Sequence, residues 1–400
     1  MVRRQVAGKE PTEASALGAA VAGVEDPRLF HTIGALGLLR ALEPGSGVTG
    51  VTVAIPRSGH SGQQELVVRI AEAVAGAGAP PADVRFVEMT AEEESELAAR
   101  IQELGLGGRP PQGALAGAGQ RPDGQHGSAG PTPRPNPFAD KASPTRVLAI
   151  GSGKGGVGKS SVTVNLAVSL AKAGHSVGLL DADVYGFSVP SMLGVVDAPT
   201  MLGPLLVPPV AFGVRVMSMG FFVPEEQAVI WRGPMLHKAL EQFLVDVHWG
   251  APDFLLIDLP PGTGDVSLSI SQFLPRAELI VVTTPQAAAG RVAQRAAVMA
   301  RQLRLPVRGV VENMSGFVAD DGTRYDLFGA GGGQQLADEL GVGLLAQIPL
   351  VAALRSGGDI GVPIVVSEPE GAAALIFQAL AKKVVELGPS RVYRSELSVH

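Results

Sequence analysis

The sequence predicts an α/β fold, a mostly parallel sheet flanked by helices, preceded by a small α+β domain and a flexible linker. Three observations predict it. A glycine-rich loop, Gly151-Ser-Gly-Lys-Gly-Gly-Val-Gly-Lys-Ser-Ser161, lies between a strand pattern and a helical one. From Arg146 onward strand and helix patterns alternate, as in parallel sheets with helices on both faces. Two apolar strands end in aspartates, Asp181 and Asp258, at the sheet edge where such folds bind ligands.

Composition narrows the function classes. The chain has 400 residues, 46% hydrophobic and only 18% charged, which suits a globular protein of two or three domains. A net charge of −6 without a long Lys/Arg run argues against nucleic acid as a partner. No stretch approaches the roughly 18–20 apolar residues of a membrane span, and Met1-Val-Arg-Arg-Gln5 opens no secretory signal, so a cytoplasmic location without a membrane partner is expected. The cysteine count is 0, which removes disulfides, thiolate catalysis and any cluster held by the chain's own thiols.

Residues 1–104 read as the small α+β domain. Pro11 to Val24 is a candidate helix stopped by Asp26-Pro27, Val51 to Ile55 a strand, Gln63 to Ala75 a helix and Val84 to Val87 a strand. Thr90 and Glu93 have the spacing of a capping box, so the acidic cluster Glu92 to Glu94 reads as the start of a helix rather than a metal site. Residues 105–144, rich in Gly and Pro, read as the linker, and 391–400 as a short polar tail.

Residues 145–390 carry the chemistry. Arg146 to Ile150 is a strand and Ser161 to Ala173 a helix ended by Gly174, so Gly153 to Ser160 matches G-x-x-x-x-G-K-[ST] in the context that makes it a phosphate loop. Glycines let successive amides of Gly153, Gly155, Gly156, Val157, Gly158, Lys159, Ser160 and Ser161 turn toward an anion at a helix start. Lys159 can reach the β/γ-phosphates of ATP, and the Ser160 hydroxyl is the expected Mg²⁺ ligand. Ser176 to Leu180 delivers Asp181-Ala-Asp183, able to hold Mg²⁺-bound waters or orient an attacking water. Phe254 to Asp258 is a buried strand presenting a carboxylate near Mg²⁺, followed by the shaped loop Pro260-Pro-Gly-Thr-Gly-Asp265. Trp231 opens a helix to about Val247. Glu278 to Thr283 and Val307 to Val311 read as strands joined by a helix over Ala287 to Arg304. Asn313 stands at a strand end, where its amide could contact an adenine edge or cap a turn. Gly331 to Leu340, Leu344 to Ile348 and Gly371 to Leu387 complete the alternation.

Together, Gly-Lys-Gly-Gly-Val-Gly-Lys-Ser (153–160), Leu-Leu-Asp-Ala-Asp-Val-Tyr-Gly (179–186), Trp-Arg-Gly-Pro-Met (231–235), Asp-Leu-Pro-Pro-Gly-Thr-Gly-Asp (258–265), Thr-Thr-Pro-Gln (283–286) and Glu-Asn-Met-Ser (312–315) resemble the Mrp/ApbC proteins. These are MinD/ParA-like ATPases regarded as iron–sulfur cluster carriers. Glu25-Asp-Pro27 and Val87-Glu-Met-Thr90 look like the small domain preceding the ATPase in many Mrp chains. The resemblance implies a slow, homodimeric ATPase with iron–sulfur client or scaffold proteins. It implies that Lys154 acts across the dimer, Lys159 and Ser160 hold phosphate and Mg²⁺, and Asp183 orients the attacking water with Asp181 nearby. It also implies that Asp258 supports Mg²⁺ through water and that Asn313 contacts adenine.

One departure stands out. Mrp proteins usually carry Cys-x-x-Cys after Glu-Asn-Met-Ser, bridging a [4Fe-4S] cluster across the dimer; here Phe317-Val-Ala-Asp-Asp-Gly-Thr323 has no sulfur. Asp320-Asp321-Gly322 reads as a hairpin turn, and His60, near where the small domain often has a Cys, as a surface histidine. Three classes remain open: cluster assembly with ligands from a partner, a nucleotide-switched binding module without a cluster, and a MinD/ParA-like positioning ATPase.

Overall fold

The computed structural model describes residues 13–57, 62–104, 136–140, 142–184, 186–202, 205–222, 233–262, 264–286, 298–299, 301–319 and 323–389. His60, Trp231, residues 105–135 of the linker segment, most of the expected 287–304 helix, Asp320 to Gly322 and the tail lie outside the described residues. The chain divides into two compact units, one of Met1–Gln112 with Thr200–Val207, the other of Gly113–Pro199 with Pro208–His400.

The smaller unit contains α1 (Glu13–Ala22), α2 (Ile33–Leu36), β1 (Leu39–Pro44), β2 (Thr49–Ile55), α3 (Gln63–Gly76), β3 (Ala82–Glu88) and α4 (Ala91–Glu103). β1 and β2 pair antiparallel, β2 and β3 parallel, with α3 as the crossover. Leu66, Ile70 and Val74 recur every four residues along α3 and are fully buried, so one helical stripe supplies the core contact. The capping box forms: Glu93 N donates to Thr90 Oγ1 at 3.3 Å, and Thr90 N donates to Glu93 Oε2 at 2.7 Å. β1 has no counterpart in the sequence reading, because Leu-Arg-Ala-Leu-Glu-Pro lacks clean alternation. It is an edge strand, where Pro44 is tolerated. The hairpin of Thr200–Leu202 and Leu205–Val207 adds Leu202, Leu205 and Val207 to this core.

In the larger unit the strands are β4 (Arg146–Gly151), β5 (Val177–Asp181), β8 (Val210–Ala211), β9 (Val214–Ser218), β10 (Phe254–Asp258), β11 (Glu278–Thr283), β12 (Val307–Asn313) and β15 (Leu344–Ile348). The 200–207 hairpin supplies β6 and β7. The eight-stranded order is β15-β12-β11-β4-β10-β5-β9-β8, parallel throughout except β8 against β9. β5, β10 and β11, in the middle of the sheet, are buried along their whole length and largely apolar because both faces are covered. α5 (Lys159–Lys172) is buried along most of its length, its Val162, Leu166 and Leu170 packing into the same core as Leu148, Ile150 and Leu256. β13 (Phe317–Val318) and β14 (Arg324–Tyr325) form a small hairpin, closed by Ala319 N donating to Thr323 O at 2.9 Å. Because β4, β5, β10, β11 and β12 run parallel, their carboxyl ends lie along one sheet edge. No helix among the described residues is long and apolar enough to cross a membrane.

Candidate functional site

Register brings the two aspartates together. Asp258 on β10 pairs with Ile150 on β4 and with Asp181 on β5, so both carboxylates stand beside the loop that leaves β4. That loop needs glycine at two positions: Gly156 and Gly158 both have φ of +76°. A Cβ on Gly158 would also lie 2.2 Å from Asn313 Nδ2. Gly262 N donates to Ser152 O at 3.1 Å, tying the loop to the Pro260–Asp265 segment, and Ser152 Oγ donates to Lys154 O at 2.9 Å.

Asp258 is the hub. Its Oδ2 lies 2.8 Å from Lys159 Nζ and accepts from Ser160 Oγ at 2.5 Å, while Oδ1 accepts from Thr163 Oγ1 at 2.7 Å. The Lys159 ammonium is buried against this carboxylate as a close ion pair. Thr163 was not singled out by the sequence reading. It lies one helical turn after Lys159, facing the same carboxylate, and that spacing was the available signal.

Asp181 is fully buried and chiefly holds the chain. Its Oδ1 accepts from Asp183 N at 3.1 Å; its Oδ2 accepts from Ser188 N, Val189 N and Ser218 Oγ, each at 3.2 Å. Burial first, and the neighbouring Asp258 second, push its carboxyl up to about 7. Asp183 is half-buried, and its Oδ1 accepts from Gly186 N at 3.0 Å.

Lys154 is bound within the chain: its Nζ donates to Gln286 Oε1 at 2.7 Å. Asn313 Nδ2 donates to Val157 O at 2.9 Å, bracing the glycine loop, while its buried Oδ1 has no hydrogen-bond partner. Met314 follows at φ +60°, a left-handed conformation that costs a methionine on the order of 1 kcal/mol and turns the chain at the site. Glu312, fully buried, fixes this corner by accepting from Ser315 Oγ, Gln347 Nε2 and Gly333 N. Glu312 and Gln286 lay inside quoted motifs without assigned roles, because their partners come from remote segments.

A cavity of about 240 Å³ covers the loop, with Gly155, Lys159, Ser160, Asp183 and Pro261 in its walls. It shares Gly158 and Ser161 with a second cavity of about 500 Å³, whose walls include Asn313, Met314, Leu350 and Arg355. A polar, glycine-walled space beside a larger, mostly apolar one suits a phosphate chain continuing into a base.

The family model for ParA-type NUBPL iron-transfer P-loop NTPases matches residues 143–385. The iron-sulfur cluster carrier protein of Mycobacterium tuberculosis is 43% identical over 376 residues, 92% of either chain. That of Bacillus subtilis is 40% identical over 333 residues, 82% of this chain and 86% of its own. Among solved structures, an Archaeoglobus fulgidus nucleotide-binding protein in complex with ADP is 36% identical. The match covers 58% of this chain and 91% of that one, with a TM-score of 0.47.

Proposed function

Since the chain belongs to the ParA-type family of NUBPL iron-transfer P-loop NTPases, we propose that it is a homodimeric, Mg²⁺-dependent ATPase serving iron–sulfur cluster assembly without thiolates of its own. The observation carrying this reading is the grip of Lys159, Ser160 and Thr163 on the Asp258 carboxylate beneath a glycine cradle. Ser160 Oγ and the Asp258 carboxylate, hydrogen-bonded to each other at 2.5 Å, are hard oxygen donors of the kind Mg²⁺ takes, and they stand beside the cavity of about 240 Å³ that covers the glycine loop. Held by Ser160 and the Asp258 carboxylate, Mg²⁺ would supply charge neutralisation at the phosphates.

The chain's own groups do the rest. Lys159 turns its N–H groups to the phosphates, and the loop amides receive their oxygens. Asp183 orients the water that attacks the γ-phosphorus as the bond to the β–γ bridging oxygen breaks. Asp181 keeps Asp183 and the Ser188–Val189 backbone in register with the site. Asn313 holds the loop through Val157 and keeps Oδ1 for the exocyclic amine of adenine, which favours adenine over guanine, whose carbonyl there offers no proton. Lys154 leaves Gln286 and reaches the nucleotide of the partner subunit.

The cluster is cargo in this reading. The sequence has 0 cysteines, and among the described residues no group of three or more His, Cys, Asp or Glu could hold a metal ion. Its ligands therefore come from a client or scaffold protein, and this chain supplies the nucleotide-driven clamp. The absence of thiolates equally favours a clamp with no cluster role at all, as a second reading.

Lys159→Ala should abolish ATP binding by calorimetry; a variant that binds normally sinks the site assignment. Lys154→Ala should keep binding and lose turnover and dimer closure. Anaerobic incubation with iron and sulfide should leave substoichiometric iron on the chain alone. Iron-dependent transfer to an apo-client that accelerates with ATP separates cluster service from the cluster-free clamp.

A further inference from the structure

The smaller unit does not complete its core from the N-terminal residues. Leu202, Leu205 and Val207 are 2%, 0% and 2% exposed within it, although they stand far along the sequence from α4. They arrive on the hairpin in which Thr200 faces Val207 and Leu202 faces Leu205, and the first strand of that hairpin packs against α4.

A polar seat accompanies the apolar one. Buried Arg28 donates from Nη2 to Thr200 Oγ1 at 2.5 Å. Asp26, fully buried, shapes the turn that presents Arg28: its Oδ1 accepts from Arg28 N and Leu29 N, each at 2.9 Å. Val24 O accepts from Ile33 N at 2.8 Å, and Glu25 bridges Thr32, closing the turn from the other side. Asp26 of the Glu25-Asp-Pro27 motif, to which the nucleotide site gives no role, thus shapes the turn whose Arg28 meets this hairpin.

The chain leading into and out of the hairpin begins and ends at one carboxylate. Before it, Ser188 N and Val189 N donate to Asp181 Oδ2; after it, Ser218 Oγ donates to the same oxygen. Between these anchors the excursion contains one short helix, α6 (Val189–Met192), then buried Leu193, the hairpin, β8 and β9. Asp181 also accepts from Asp183 N, at the wall of the phosphate cavity. The 183–189 segment at the phosphate cavity and the hairpin in the core of the small unit thus belong to one continuous excursion of the chain.

We propose that the 200–207 hairpin is the element through which the nucleotide site sets the conformational state of the N-terminal unit, making that unit a nucleotide-responsive part of the machine. The inference rests on the nucleotide-binding reading above and goes beyond it by assigning a task to the small unit and to its Asp26–Arg28 turn.

Hydrogen exchange on the full chain, with and without Mg²⁺ and a non-hydrolysable ATP analogue, tests it. Nucleotide should slow exchange in residues 152–162. It should also change exchange at least threefold in residues 200–207 and in α4. Thr200→Val removes the oxygen that receives Arg28 while keeping the β-branched shape. It should at least halve the response of α4 and leave that of residues 152–162 intact. Leu205→Ala should raise exchange in the small unit even without nucleotide, and unchanged exchange there overturns the hairpin's place in that core. If residues 152–162 respond while 200–207 and α4 do not, the coupling is overturned and the nucleotide site stands. If residues 152–162 do not respond either, the nucleotide-binding reading and the coupling fall together.

Discussion

At the residue scale, Asp181 is the group whose chemistry is most altered by its surroundings. Its carboxyl lies at about 7 rather than the usual 3.8, through burial and then Asp258. An acid with a higher pKa folded than unfolded binds its proton more tightly in the folded state. Its contribution to stability is complete below about pH 4 and is lost as pH rises through about 7. Without ligand, the melting temperature of the Asp181→Asn variant should therefore fall less steeply across that window than that of the wild type. An unchanged slope would mean that Asp181 is ionised in the folded protein throughout. Gln286 offers a second test. Its bond to Lys154 lies within the chain, and the proposed reach of that lysine to a partner's nucleotide requires the bond to break. The pair is exposed, so a charged partner adds at most about 1 kcal/mol per subunit, and Gln286→Glu should weaken the proposed ATP-driven dimerisation, by at most about thirtyfold for two subunits. Sedimentation velocity reads this; equal or tighter association would show that Gln286 does not restrain Lys154.

At the scale of elements, what was legible depended on whether the determinant was local. The strand Phe254–Asp258 was readable to the residue because a fully buried strand is a continuous apolar run that ends where its polar residue meets the site. α4 announced itself through Thr90 and Glu93, whose reciprocal bonds form as their spacing requires. Thr90→Ala should cost about 1 kcal/mol, seen as a lower urea midpoint; no change would mean that tertiary packing alone sets the start of α4. The positions of Lys159, Ser160, Asp181, Asp183 and Asp258 were similarly legible, since the motif fixes them on the sheet edge. Thr163 had a local signal in its spacing from Lys159, whereas the roles of Gln286 and Glu312 were not legible, because each acts on a group brought close only by the folded sheet. β1 and the 200–207 hairpin escaped for the same reason. An edge strand and a two-stranded hairpin draw their stability from what they cover rather than from a period of their own.

At the scale of the whole molecule, the hairpin has a consequence for biosynthesis. Translation delivers residues 13–103 first, yet three side chains of their core are encoded roughly a hundred residues later. At about 5–20 residues per second, the emerging N-terminal segment waits roughly 5–20 s for its last pieces. Ribosome-arrested nascent chains ending at Pro199 should leave residues 13–103 open to protease. Chains arrested well past Gly250, with the missing strands out of the exit tunnel, should protect them. Equal protection at both lengths would show that the first-made segment closes unaided. If protection waits for the hairpin, residues 13–103 finish folding only after residues 200–207 are made, and a chaperone able to shield an incomplete apolar surface has a defined interval in which to act.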